Sequence, residues 1–221
     1  MEKINLITRY ILGFPKTIYI NFRLLSFSEA IKLPIVVSHK TYIKSLSGKV
    51  TIDSPSFACL KIGFGLTPTT DFKYSRTIIN IRGSLIVHGK CRFGAGSKIN
   101  VNGNGILEIG DNFNMTGGSS IICNKKIILG THVLVSWNVL IMDTDQHHIM
   151  NLDNTIINED KEIILGSDIW ICSGTTILKG AKIGNNNVVG ANSLVVNDQS
   201  KSNTIIAGNP AKVIKENIKW N

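Results

Sequence analysis

A chain of 221 residues that is 43% hydrophobic can bury the core of one large or two small domains. Its 24 Lys and Arg against 15 Asp and Glu give a formal charge of +9, but the basic residues are spread among apolar ones. They form no aromatic-interleaved cluster and no nucleic-acid module, which argues against nucleic acid as a partner, and no stretch approaches the roughly 20 apolar residues of a membrane span.

Residues 1–47 read as an N-terminal cap region, with helix-like stretches at 16–25 and 27–31 broken by Pro15 and Pro34. Eight Lys or Arg and two acidic residues precede residue 50. This basic, partly apolar segment admits two readings. One is a membrane-surface segment, which gives peripheral association at the inner face of a membrane. The other, taken as the default, is a packed cap, because the open end of a stacked sheet exposes an edge that must be covered. The start MEKINLITRYILGF shows no small-residue cleavage site and reads as mature sequence.

Residues 48–206 read as strands and turns, irregular over 50–80. Beyond them the dominant signal is a spacing of six. Leu165, Ile171, Ile177, Ile183, Val189 and Val195 each stand six residues apart, as do Leu129, Val135 and Ile141, and Val87, Phe93 and Ile99. No α-helix has that period, and a plain amphipathic strand alternates by two. A six-residue repeat marks a parallel β-helix, in which one aliphatic side chain per hexad points into a prism and stacks on its counterpart in the next coil. Gly166, Gly184 and Gly190 follow aliphatic positions, where the backbone is expected to need glycine's freedom at a corner. Thr175, Ala181, Asn187 and Ser193 are short, as a site near the next corner requires. About six coils of about eighteen residues fit between residues 80 and 200. The repeat is broken at 143–160, a charged stretch that reads as a loop expelled from the prism, and long excursions of this kind are usually functional. Residues 207–221 follow a Gly208-Asn209-Pro210 turn and read as helical from 211 onward.

Cys59, Cys91, Cys123 and Cys172 make neither a CxxC pair nor a zinc spacing. Cys91, Cys123 and Cys172 stand where the hexads call for small residues, and read as buried free thiols in a reducing cytoplasm.

The segments containing Trp170-Ile171, KGAKIG, VVGANS and AGNPAK together resemble the C-terminal signature of the hexapeptide-repeat acyltransferases, and more narrowly the maltose and galactoside O-acetyltransferase branch, with its O-acetyltransferases of bacterial surface polysaccharides. The resemblance spans roughly residues 85–215. It implies an all-β, left-handed parallel β-helix with a short N-terminal helical cap and a short C-terminal helix. It also implies a homotrimer with sites between subunits, and acetyl-CoA as co-substrate without a metal.

His147 aligns with the family's catalytic histidine in a D-x-H form. A sugar hydroxyl needs a base to take its proton as it attacks a thioester, and imidazole titrates in the right range. Asp145 or Asp143 would fix the tautomer of His147 or grip the acceptor. His148 stands where the family usually has Pro and ranks below His147. By resemblance, Ser173 and Ala191 line the pantetheine arm, and Lys212 and Lys215 meet phosphate or adenine. Trp170 flanks the channel or forms an outward subunit contact. Where the family has Gly after Trp-Ile this chain has Cys172, and where relatives hold the acceptor with Asn and Asp it has Thr116 and Asn124. Trp137 offers either a platform for a sugar ring or a trimer contact. His39, His88 and His132 read as surface or corner residues.

The expected function is acetyl-CoA-dependent O-acetylation of a saccharide in capsule or O-antigen synthesis. N-acetylation of an amino sugar and a non-catalytic scaffold are the alternatives. About 47 residues are too few for the helical domain of a serine acetyltransferase. No two histidines stand five apart, as the zinc site of a γ-type carbonic anhydrase requires.

Overall fold

A computed structural model describes residues 2–65, 67, 70, 71 and 73–220, with residues 2–5 described by backbone alone. Residues 1 and 221 of the two terminal regions, and 66, 68, 69 and 72 of the irregular first coils, lie outside the described residues. The chain winds into a triangular prism of three sheets, named faces 1, 2 and 3 in the order in which each turn visits them. Face 1 starts with the strand Ile35–Val37, face 2 with Thr41–Leu46 and face 3 with Lys49–Ile52. Each face is extended by every third strand, always in parallel.

The hexads mark the three faces. Ile171 lies on face 1, Ile177 on face 2 and Ile183 on face 3 of a single turn. Val135, Ile171 and Val189 pair in register, as do Ile141, Ile177 and Val195. All six are fully buried, and each such side chain contributes roughly 1.5–3 kcal/mol. The short residues near the corners are also inside, and they bond the corner backbone. Thr175 Oγ1 donates to the Gly190 carbonyl at 3.0 Å, Asn187 Nδ2 donates to the Lys201 carbonyl at 2.7 Å, and Ser193 Oγ accepts the Gly208 N–H at 3.2 Å.

The corner glycines are needed for a different reason from the one expected. Gly130, Gly166 and Gly184 do not have positive φ. They are required by the coil stacked above: a Cβ on Gly184 would stand 2.1 Å from the Ser200 carbonyl oxygen, and one on Gly166 would stand 2.3 Å from Asn185 Oδ1. The left-handed residue comes two positions later, at His132, Asp168 and Asn186, whose φ values are 56°, 56° and 54°. Asn, Asp and His are the non-glycine types that best tolerate that region. Cys91 and Cys123 prove to be inward core residues in register with Leu60 and Val101, whereas Cys172 follows the inward Ile171 and is half-buried.

Helix α1 spans Glu2–Leu24 and passes through Pro15, whereas the sequence reading placed a break there. The carbonyl deprived of its N–H belongs to Ile11, a residue 65% exposed, so water can serve it. Beyond Pro15 the helix is tied to the first strand of face 1. Asn21 Nδ2 donates to the Ile35 carbonyl at 2.6 Å, its Oδ1 accepts the Ile35 N–H at 3.1 Å, and Thr17 Oγ1 accepts the Val37 N–H at 3.1 Å. Side chains therefore replace the missing neighbouring strand, and α1 caps the open edge. A short second helix, α2 (Phe27–Ala30), follows. The coil itself begins at Ile35, inside the segment read as cap.

At the other end the expected helix is a strand. Ala211–Glu216 returns antiparallel to Thr204–Gly208 through a cis Asn209–Pro210 bond. Thr204–Gly208 would otherwise be the exposed edge of face 1, and pairing with the tail closes it. Asn21→Ala should lower unfolding free energy by roughly 2–5 kcal/mol, because it leaves buried backbone groups unpaired. Denaturant titration against the wild type measures this, and Phe27→Ala on the exposed surface should be near neutral.

Candidate active site

Stacking of the coils brings residues far apart in sequence to one corner. Trp137, Ser173 and Ala191 each lie two residues beyond the paired Val135, Ile171 and Val189, at the corner between faces 1 and 2. The Gly174 N–H donates to the Trp137 carbonyl at 3.1 Å, and the Asn192 N–H donates to the Ser173 carbonyl at 3.0 Å. Trp137 is 37% exposed, Ser173 half-buried and Ala191 exposed. Small side chains thus border a strip of approachable backbone below an aromatic ring. Cys172 beside it is half-buried, and burial pushes its thiol up, so it stays protonated at neutral pH.

Lys212 and Lys215 are exposed on the returning strand, opposite Ala207 and Ile205. Ala207 lies against Gly190, so Lys212 is beside the Ala191 corner and Lys215 is farther along face 1. Trp170 points outward from face 1. Its Nε1 donates to Ser136 Oγ at 3.1 Å, and its ring lies 6.2 Å from that of Trp220. Trp220 in turn stacks on His132 at 5.3 Å, and His132 Nδ1 bonds Asp168 Oδ1 at 2.9 Å. The tail residue Trp220 carried no repeat signal in the sequence.

The excursion leaves after the face-2 strand Leu140–Met142 and returns at the face-3 strand Ile163–Leu165. It therefore projects from the next corner. Asp143 at its base is fully buried, with Oδ1 accepting the Asn124 N–H at 2.7 Å and Oδ2 the Lys125 N–H at 2.9 Å. Both oxygens are engaged by the main chain, which leaves Asp143 no free face for a sugar. Asn124 donates through Nδ2 to Thr144 Oγ1 at 3.1 Å and accepts from Asn102 Nδ2. Thr116 is at the other corner, one coil before Trp137, with its buried Oγ1 lacking a partner among the described residues.

His147 is exposed, and its ring makes no hydrogen bond among the described residues. The expected carboxylate–imidazole contact is not formed. Asp145 Oδ2 instead accepts from Lys179 Nζ at 2.5 Å and from Asn158 Nδ2 at 2.8 Å. An ammonium partner gives a charge-assisted bond that a neutral imidazole cannot match. Lys179 first, and Asn158 second, hold the Asp145 carboxyl below its usual range. The same Asn158 Nδ2 donates to the His147 carbonyl at 2.8 Å, and Asn158 Oδ1 accepts the Ile149 N–H at 2.6 Å. Lys179 Nζ also donates to the Asn158 carbonyl at 2.6 Å. Lys179 and Asn158, which the sequence reading missed, thus fix the backbone that carries His147 and leave its ring unbonded. His148 is exposed beside it.

Trp137, Ser173, Ala191 and Lys212 are therefore gathered at one corner, and His147, Asp145, Asp143 and Asn124 at the next. Face 2 separates the two groups within the chain. Among the described residues no group of three His, Cys, Asp or Glu is placed to hold a metal.

A parallel prism with stacked six-residue corners defines the hexapeptide-repeat β-helix architecture. No family model matches the chain. It is 30% identical over 132 residues to Escherichia coli K12 WbbJ, a protein named for O-acetyl transfer in lipopolysaccharide biosynthesis; the match covers 56% of this chain and 67% of WbbJ. The chain belongs to the hexapeptide-repeat acyltransferase family, and its coil is left-handed like that family's. The polysialic-acid-specific acetyltransferase NeuO superposes with a TM-score of 0.61 at 23% identity, over 85% of this chain and 78% of NeuO. The Vibrio cholerae hexapeptide-repeat acetyltransferase VCA0836, crystallised with acetyl coenzyme A, superposes with a TM-score of 0.50 at 24% identity, over 60% and 70% of the two chains. These two likenesses concern the fold. The chain spans about half the length of other curated relatives, named galactoside and polysialic acid O-acetyltransferase.

Lys179→Ala should release the loop without unfolding the coil. Amide exchange measured by mass spectrometry should accelerate over 145–158 and stay unchanged in the strands. The clamp should hold above the lowered Asp145 pKa and weaken as pH falls through it.

Proposed function

We propose that the protein is an acetyl-CoA-dependent O-acetyltransferase of a saccharide hydroxyl in surface-polysaccharide synthesis, with His147 as general base. The observation that carries this reading is an exposed histidine with an unbonded ring on a loop whose backbone is clamped. Such a ring is ready to accept a proton from an incoming hydroxyl. WbbJ, named for O-acetyl transfer in lipopolysaccharide biosynthesis, and the polysialic acid O-acetyltransferase of Neisseria meningitidis, 32% identical over 116 residues, support both the acetyl transfer and the acceptor class.

Acetyl-CoA would supply an acetyl thioester, the electrophile for the acceptor oxygen. The residues at the first corner fit it. Ser173 and Ala191 are small enough to admit a thin pantetheine arm beside their backbone, and Lys212 supplies a cation for phosphate next to that strip, with Lys215 farther along the strand. Trp170 would border the outer wall. His147 Nε2 would take the hydroxyl proton as the oxygen attacks, and the imidazolium would return it to the departing thiolate. Asp145 would act through the loop as a positioning residue. Trp137 and Asn124 would meet the acceptor. Asp143 would hold the base of the loop.

Because face 2 separates the two corners, a complete site requires a second subunit, and we take the protein to be a homotrimer with His147 facing the first corner of its neighbour. The loop exposes Ile149, Met150, Leu152 and Ile157 around its tip, apolar side chains that a neighbouring prism would cover. Analytical ultracentrifugation should give a trimer; an active monomer would refute this assembly.

His147→Ala should lower turnover by roughly 10²–10⁴-fold, with fold and CoA binding retained, and His148→Ala should do much less. Lys212→Ala/Lys215→Ala should raise the acetyl-CoA KM and leave saturated turnover largely intact. Steady-state kinetics with a purified oligosaccharide acceptor tests both. Full activity in His147→Ala would overturn the assignment of the base.

A further inference from the structure

Helix α1 is used on one side only. Gly13, Thr17, Ile20 and Asn21 face the coil and are buried. The outward side carries Ile7, Ile11, Phe14 and Phe22, exposed by 59, 65, 54 and 46% and spaced as one helical stripe. The apolar surface continues beyond the helix. A cavity of about 390 Å³ opens beside the stripe among Tyr10, Ile11, Phe14, Leu33, Val36 and Phe57. The ring of Phe27, 73% exposed, lies 5.9 Å from that of Phe22. A contiguous apolar surface of this kind marks an interaction site.

The charges along the stripe indicate what covers it. From residue 3 to residue 28 the sequence holds Lys3, Arg9, Lys16 and Arg23 and no Asp or Glu. Leu12 and Tyr19, each 56% exposed, widen the apolar side, and on a helical wheel Arg9, Lys16 and Arg23 fall on one arc at its margin. Lys16 Nζ is tied to the His39 and Thr41 carbonyls at 2.6 and 2.8 Å and Arg9 is half-buried, whereas Arg23 is exposed. Packing this face against a second copy would bring Arg23 and its basic neighbours against their own duplicates, and the one acid in the helix sequence, Glu2, stands about six turns away at the opposite end. Anionic lipid headgroups would neutralise it instead. An apolar stripe edged by Lys and Arg, carrying aromatic rings, is the pattern of a helix lying in the membrane interface. No described helix is long and apolar enough to cross a membrane.

We propose that α1 docks the protein onto the surface of an anionic phospholipid bilayer, with Ile7, Ile11, Phe14 and Phe22 entering the acyl boundary and Arg23 and Lys32 meeting headgroups. The helix covers the first strand of face 1, and the coil of Trp137 stands four coils farther on, about 20 Å at the usual strand spacing. Docking through this end holds both corners of the candidate site clear of the bilayer. The inference does not depend on acetyl transfer.

The test is co-sedimentation of the full chain with vesicles of phosphatidylcholine alone or mixed with phosphatidylglycerol, at roughly 0.15 M and about 1 M salt. The expected result is binding to the mixed vesicles at low salt, lost at high salt and absent with phosphatidylcholine alone. Ile11→Glu/Phe14→Glu should reduce the bound fraction at least tenfold. Arg23→Gln/Lys32→Gln should reduce it roughly tenfold without touching the apolar face, so the proposal stays testable if the first variant folds poorly by circular dichroism. Absence of binding to the mixed vesicles, or binding indifferent to both variants, would overturn it. So would self-association without vesicles that Ile11→Glu/Phe14→Glu abolishes, since that would assign the face to a second copy.

Discussion

The close approach of one coil to the next, roughly 4.8 Å along the hydrogen-bonding direction, is the constraint on which the rest of the structure depends. It dictates the corner glycines, whose missing Cβ is the space through which the next coil passes. It dictates that inward aliphatic side chains stack in columns, Val135 on Ile171 on Val189 and Ile141 on Ile177, since each position lies above its counterpart. It also makes register the carrier of function. Trp137, Ser173 and Ala191 are scattered over 54 positions of sequence and share a corner only because Val135, Ile171 and Val189 pair.

The same constraint explains how the coil tolerates an interruption. Leu129 pairs with Leu165 across 36 positions, whereas Leu165 pairs with Ile183 across 18. The extra residues are the excursion bearing His147, and the register on all three faces resumes beyond it. A loop inserted at a corner disturbs no ladder, because the corner is where the chain already leaves one face for the next. A side chain on a strand is fixed by its coil neighbours, whereas a loop can carry a residue outward from the prism. The proposed base, His147, which in the proposed trimer would meet groups on another prism, is carried on such a loop.

Legibility of the sequence followed the regularity of the corners. After residue 160 every turn is close to eighteen residues, and the hexads could be read directly. Earlier turns are longer: Val87 pairs with Ile109 across 22 positions and Ile109 with Leu129 across 20. The added residues sit at corners and shift the phase of the hexads, so the coils over 50–80 read only as irregular strands and turns, and the first turn, from Ile35, read as cap. The edges were the least legible. Nothing local in the segment following Pro210 says that an open strand edge stands beside it, so its helical look prevailed in the reading and the edge prevailed in the fold. Pro15 misled for a similar reason, since Asn21 and Thr17 bond a strand that the sequence does not bring near. At the candidate site the placement of His147 on a loop outside the prism was legible. The commitment of Asp145 to Lys179 was not, because the two are joined only by the turn of the coil, 34 positions apart.

The two ends of the prism solve one problem in different ways, and the difference bears on orientation. At the C-terminal end the edge of face 1 is closed by backbone, with a returning strand whose exposed residues include Lys212 and Lys215. At the N-terminal end it is closed by side-chain amide and hydroxyl groups on a helix. A strand cap presents little apolar surface of its own, whereas a helix cap necessarily has a second side. In this chain that side is apolar and edged with positive charge, and solvent alone gives no reason for such a composition. The prism is therefore polarised, with its candidate chemistry in the later coils and its apolar surface at the beginning.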